Sequence, residues 1–212
     1  MNRSAALASA LLFFAAPAFA ADAVLVKLKG RVYVRAQGAD KDILAKGGEE
    51  LLFGDAVRTE KDAVAQVEIE GRGAVLLRGE SAFKLEGTPA NTLLRFRFGE
   101  FLIGVRKALG QGESFRVRTP AAVAAVRGTL FWGKSDEAKT STYAGLGHII
   151  AVTGAGKTVT VRAGETVTVP LGAAPSEPKP HEIPMSYWNN FAVDGDIRGL
   201  GELMDKPAPS QK

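Results

Sequence analysis

The sequence predicts an all-β protein, and three observations carry that reading. From Val24 onward, apolar residues recur with a period of two, as half-buried strands require. The alternating runs are short and bounded by glycine, the punctuation of paired short strands. The run Val-Arg-Thr-Pro-Ala-Ala-Val-Ala-Ala-Val-Arg-Gly-Thr over 117–129 is too β-branched, and too broken by Pro120 and Gly128, to form a helix. The expected layout is a short β-solenoid or twisted β-roll of paired short strands, with a β-sandwich as the alternative.

The first element is not structural. Met1-Asn2-Arg3 forms a positive start, Ala5 to Phe14 an apolar run, and Ala18-Phe19-Ala20 a small-x-small site. Together they read as a signal peptide cleaved after Ala20, with Ala18 and Ala20 as the recognised small residues. Pro17 interrupts the apolar stretch, and a spanning helix needs about 20 apolar residues, which argues against a retained anchor. The mature product, from Ala21, is therefore expected in the periplasm or outside the cell. The chain has no cysteine, which excludes a disulfide framework, a thiolate metal site and a lipid-modified cysteine. Its net charge of +4 falls by one when Arg3 leaves with the leader. That permits attraction to anionic envelope polymers but is too small to indicate nucleic-acid binding.

The strands follow over residues 21–170. Val26, Leu28, Val32 and Val34 alternate with Lys27, Lys29, Arg31, Tyr33 and Arg35. Ala65, Val67 and Ile69 alternate with Gln66, Glu68 and Glu70, and Leu94, Phe96 and Phe98 with Arg95 and Arg97. Phe115 and Val117 alternate with Arg116 and Arg118, and Val159, Val161, Val167 and Val169 repeat the pattern. The expected core comprises Val26, Leu28, Val32, Val34, Val67 and Ile69, with Phe96, Phe98, Phe115, Val117 and Val126. Gly followed by an acid recurs at Gly54-Asp55, Gly79-Glu80, Gly99-Glu100, Gly112-Glu113 and Gly164-Glu165. These pairs read as turns in which the carboxylate faces solvent or caps a turn amide.

Beyond Pro170 the character changes. Residues 171–184 are rich in proline and read as an extended linker. The extension 185–212 is expected to hold a short helix within Met185 to Met204, followed by a disordered tail. Tyr187, Trp188 and Phe191 fall on one side of that helix and are candidate anchors for a partner.

Motifs for chemistry are sparse. Ala151 to Thr158 matches a loose phosphate-loop pattern through Gly156, Lys157 and Thr158. A phosphate loop must open a helix, whereas Thr158 leads into the strand-like Val159-Thr160-Val161-Arg162. The segment instead predicts a hairpin turning at Gly154-Ala155-Gly156, and no nucleotide is expected. His148 and His181 lie in different segments without carboxylates at ligand spacing, so no metal or cofactor is expected. No nucleophilic elbow is present. The arginine rows are different. Arg95 and Arg97 share one strand face, and Arg116 and Arg118 share another. If the two strands are neighbours, four guanidiniums line one patch suited to carboxylates or phosphates. The simpler reading is a solvated sheet face whose arginines pair with Glu100, Glu113 and other acids, since alternation alone makes such rows.

Several segments, taken in order, resemble the FecR domain family. Gly30-Arg-Val-Tyr-Val34 is similar to its opening strand, and Gly54-Asp55-Ala-Val-Arg-Thr59 to its Gly-Asp-x-(Ile/Val)-x-Thr element. Phe98-Gly99-Glu100-Phe101 follows, then Thr119-Pro120 and Arg127-Gly128-Thr129, and last Gly164-Glu165. The resemblance implies an all-β envelope module without catalytic residues, in which these signature residues build the framework. The best-known members join a cytoplasmic anti-sigma segment through one membrane helix to this periplasmic domain. This sequence shows neither of those parts, so the resemblance implies the periplasmic module alone. Its expected partner is a membrane or outer-membrane protein, bound for signalling or scaffolding. Peptidoglycan or another anionic polymer is the alternative ligand, and an envelope hydrolase a remote one.

Overall fold

The computed structural model describes residues 21–105, 111–126, 128–137 and 139–181, together with Tyr187 and Phe191. The leader with Ala18 and Ala20, Arg127, Trp188 and the rest of the 185–212 extension, including the expected helix, lie outside the described residues. Within them the chain forms 17 strands. The first are β1 (Ala23–Lys29), β2 (Val32–Arg35), β3 (Ile43–Leu44), β4 (Glu49–Leu51), β5 (Ala56–Thr59) and β6 (Val64–Ile69). There follow β7 (Gly73–Leu77), β8 (Ser81–Gly87), the long β9 (Asn91–Val105), β10 (Ser114–Arg118), β11 (Val123–Val126) and β12 (Leu130–Ser135). The last are β13 (Thr140–Gly145), β14 (Ile150–Gly154), β15 (Lys157–Val161), β16 (Glu165–Pro170) and β17 (Lys179–Pro180).

Hydrogen bonding arranges these strands in two rows that share β9. One row runs β4-β1-β6-β7-β9-β12-β13-β16-β17. The other runs β3-β2-β5-β8-β9-β10-β11-β14-β15. The β9–β10 pair is parallel and the rest of each row is antiparallel. The chain passes repeatedly from one row to the other instead of completing either first. The whole is an open, mixed, all-β assembly, as the alternation predicts.

β9 changes rows at Phe98-Gly99. Its first half pairs with β8 and β10, its second with β7 and β12. Gly99 makes the crossing with φ 112°, and a Cβ there would stand 2.4 Å from the Cα of Ser81. The Ser81 hydroxyl then accepts the Glu100 amide at 2.9 Å, which fixes the crossing.

Both rows send side chains into one core. Phe83 stacks on Phe96 at 5.4 Å, Phe96 on Phe101 at 4.0 Å, and Phe101 meets Phe131 edge-on at 6.2 Å. This aromatic chain runs from one row to the other, and each fully buried ring contributes roughly 1.5–3 kcal/mol. Val32, Val67, Ile69, Phe96, Phe115, Val117 and Val126 are buried as expected.

Three expectations are corrected. Val26 is 36% exposed, because the β1–β6 register slips between Leu25 and Lys27 and turns Ala23 and Leu25 inward. Phe98 is only half-buried: a register shift at Ala82/Phe83 sets it opposite Ala82, on the outer side. Gly99-Glu100 lies inside β9 and is not a turn. The hairpin over 150–161 is present, with Ala155 at φ 44° and Gly156 at φ 76°. The proline-rich stretch lies along β16, with Lys179 opposite Thr166 and the Ser176 amide donating to Thr168 O.

Candidate functional site

The outer face of the β2-β5-β8-β9-β10 row carries a groove of about 610 Å3. Its geometry follows from register alone. Arg35 stands opposite Ala56, Ala56 opposite Lys84, Lys84 opposite Arg95, and Arg95 opposite Arg118. Residues directly opposite share a face, so four cations form a line across five strands, with Ala56 as the one gap. A second line runs beside it, Tyr33 opposite Arg58, Arg58 opposite Ala82, and Ala82 opposite Phe98. Asp42, Arg97, Thr119 and Pro120 also border the groove.

The cations are unequally matched. Arg35 and Arg58 both reach Asp42, at 2.6 Å and 3.1 Å. The hydrogen bond from Arg35, then that from Arg58, holds the Asp42 carboxyl below its ordinary value. The Arg58 guanidinium also lies 4.4 Å above the Tyr33 ring. Arg95 pairs with Glu86 at 2.8 Å, and Arg97 with exposed Glu137 at 3.6 Å. Among the described residues Lys84 and Arg118 have no ion-pair partner. Like charges set directly opposite disfavour the sheet, and an anion lying across them relieves that repulsion. Of the four arginines singled out from sequence, Arg95, Arg97 and Arg118 line the groove. Arg116 stands opposite Leu93, one line away.

The signature residues do other work. Asp55 accepts the amides of Gln37 at 2.8 Å and Leu52 at 2.9 Å, closing the turn at Gly54. The Thr59 hydroxyl donates to Arg78 O at 2.6 Å and accepts the Ser81 amide at 3.0 Å. Thr119 begins the turn at Pro120: its hydroxyl bonds Tyr143 and Ser141, each at 2.8 Å, and accepts the Ala122 amide at 3.2 Å. Burial pushes the Tyr143 hydroxyl well above its ordinary range. Gly128 has φ 52°, and Thr129 is buried. Glu165 accepts the Arg162 amide at 2.8 Å, while the Gly164 amide donates to Gly145 O.

The model of the FecR protein family matches residues 55–169, more than half of the chain. The chain belongs to the FecR family. The matched region holds every signature pair from Asp55 to Glu165, whereas Gly30 to Val34 precede it. Two crystal structures of a candidate anti-sigma factor from Parabacteroides distasonis share the fold, each with TM-score 0.53 and 19% identity. The aligned region covers 59% of this chain and 59% of each of those chains. No curated protein matches the chain in sequence. FecR proteins are envelope-associated and of a regulatory, signalling kind.

In this FecR protein the outer face of the opposite row carries Tyr187 and Phe191. Leu76, Leu102, Leu130, Trp132 and Ala144 form a second apolar cluster, and Phe191 closes it, fully buried. Phe191 is therefore not an exposed anchor: it is consumed by its own fold. Tyr187 is half-buried beside it, with the rings 6.2 Å apart. Glu100 anchors the arrangement, accepting the Trp132 indole N–H at 2.8 Å and the Tyr187 hydroxyl. Arg78 pairs with Glu100 at 3.7 Å and lies over both rings, 5.5 Å from Tyr187 and 5.7 Å from Phe191. Burial, then Glu100, raises the Tyr187 hydroxyl above its ordinary value.

Sequence reasoning missed Arg35, Arg58 and Lys84 as members of the groove and Glu100 as an anchor. Alternation did place Arg35 outward, but nothing local states that β2, β5 and β8 stand in line beside β9.

Proposed function

We propose that this FecR protein is an exported interaction module without catalytic activity that binds an envelope protein, for signalling or for scaffolding. The observation that carries the reading is the groove, where Lys84 and Arg118 stand in a cation line without acidic partners among the described residues. Such a line complements an acidic surface and steers association more than it adds affinity. The leader read at Met1 to Ala20 supports export, and membership of a signalling-related family supports a regulatory role. The shared fold of a candidate anti-sigma factor agrees with that role. Gly128 and Glu165 lie outside the groove, and Thr119 holds the turn at its border. That supports reading the signature as framework and the cation line as the recognition surface.

Crosslinking in living cells, followed by mass spectrometry of what is captured, tests the proposal. A discrete membrane or outer-membrane protein is expected. Capture of wall fragments alone, lost at high salt, would overturn it in favour of polymer binding, since exposed charge attraction is screened over about 8 Å at physiological ionic strength.

A further inference from the structure

The groove has a repeat, and the repeat selects a ligand. Neighbouring strands lie about 4.8 Å apart, so Arg118, Arg95, Lys84 and Arg35 occupy steps zero, one, two and four of a ladder roughly 19 Å long. Alternate side chains of an extended peptide repeat at about 6.8 Å and fall out of step after one rung. An α-helix rises 1.5 Å per residue, so side chains at i, i+3 and i+7 project at about 0, 4.5 and 10.5 Å, and i+14 at about 21 Å. Those positions lie on one helical face and match the occupied rungs within the reach of Arg and Lys side chains. The fourth rung, Ala56, carries no charge.

The second line of the groove adds a constraint. Its Ala82 and Phe98 end is apolar, with Pro120 beside it, while at its other end the Tyr33 ring lies under Arg58. A ligand fitting both lines needs anions along one edge and apolar groups along the next. A uniformly charged polysaccharide supplies only the first, whereas an amphipathic helix supplies both.

Resting on the reading of a protein partner, we propose that the groove receives an amphipathic helix of that partner, laid across the strands. Its acidic stripe meets Arg118, Arg95, Lys84 and Arg35, and its adjoining apolar stripe meets Phe98 and Ala82. Arg95 and Arg35 exchange Glu86 and Asp42 for the partner's carboxylates, while Lys84 and Arg118 gain partners they lack among the described residues.

The test uses the full exported chain and a synthetic helical peptide with Glu at i, i+3, i+7 and i+14 beside a leucine stripe. A shuffled peptide of the same composition and an oligogalacturonate serve as comparisons. The patterned peptide should bind roughly tenfold more tightly than the shuffled one, and Arg95→Glu with Arg118→Glu should remove that advantage. Circular dichroism of the double variant guards against misfolding. Equal binding of both peptides, or ladder-dependent binding of the oligogalacturonate alone, overturns the helix. A photo-crosslinking residue at Ala82 in cells separates the two readings. Capture of an envelope protein through an acidic amphipathic segment supports both. Capture through a segment of other character overturns the helix and leaves the protein-binding reading standing. Capture of wall polymer alone overturns both.

Discussion

A glycine with φ 52° stands where the chain leaves β11 and turns towards β12. Residues with a Cβ pay about 1–2 kcal/mol in that left-handed region, and a β-branched side chain pays more. Gly128→Val is therefore expected to cripple folding, read as a loss of the β signal in circular dichroism and of the thermal transition. Arg95→Ala with Arg97→Ala should leave the melt near that of the parent, because both side chains project into solvent and their ion pairs are exposed. A normal melt for Gly128→Val would remove the framework role given to that residue. At this scale the sequence was informative wherever a residue type is demanded by backbone geometry or by a turn bond, as at Asp55 and Thr119. It misled at Val26 and Phe98, because a bulge displaces every later side chain by one position and leaves no mark in the alternation itself.

Among elements, β7, β9 and β12 differ from the rest. Gly73 to Leu77, Phe101 to Val105 and Leu130 to Trp132 are continuous apolar runs, and both faces of each are buried. Strict alternation fails there because the outer face is also covered, which is how a doubly covered strand reads. That signal was present in the sequence; its cause, Phe191 and Tyr187 packed over Leu76, Leu102 and Trp132, was not. The chain has two tryptophans, Trp132 and Trp188. In a Trp188→Phe background, Phe191→Ala should uncover Trp132, which is 6% exposed, and shift its emission to the red. The global melt should move far less than the 3–5 kcal/mol cost of truncating a core phenylalanine, because the main core lies on the other side of the row. An unchanged spectrum would mean that Phe191 does not shield the indole.

For the molecule as a whole, two tyrosines couple stability to alkaline pH. Tyr143 and Tyr187 have hydroxyls raised above the ordinary value of 10.0, chiefly by burial. The unfolded chain releases those protons first as pH rises, so the stability they contribute is complete below about pH 10 and is lost above it. Denaturant midpoints should stay level through neutral pH and fall beyond pH 10. Tyr143→Phe should flatten that fall while lowering stability at pH 7, since Thr119 and Ser141 lose a buried partner. The all-β class was legible because period two is local. The order of strands within the two rows was not, since β5 finds β8 and β11 finds β14 across intervening chain. The groove depends on that order, so its arginines were visible singly while its line of charge was not.

The shared strand also decides how the molecule bears tension. β9 carries Arg95 and Arg97 before its crossing at Gly99 and Glu100 and Leu102 after it, beside Tyr187 and Phe191. A force applied between the groove and Glu100 would run lengthwise along this strand. Hydrogen bonds to β8, β10, β7 and β12 are then sheared together and share the load. The β14–β15 hairpin, peeled from its edge, would give way one bond at a time. The FecR domain should therefore resist force best along β9, the one strand bonded into both rows.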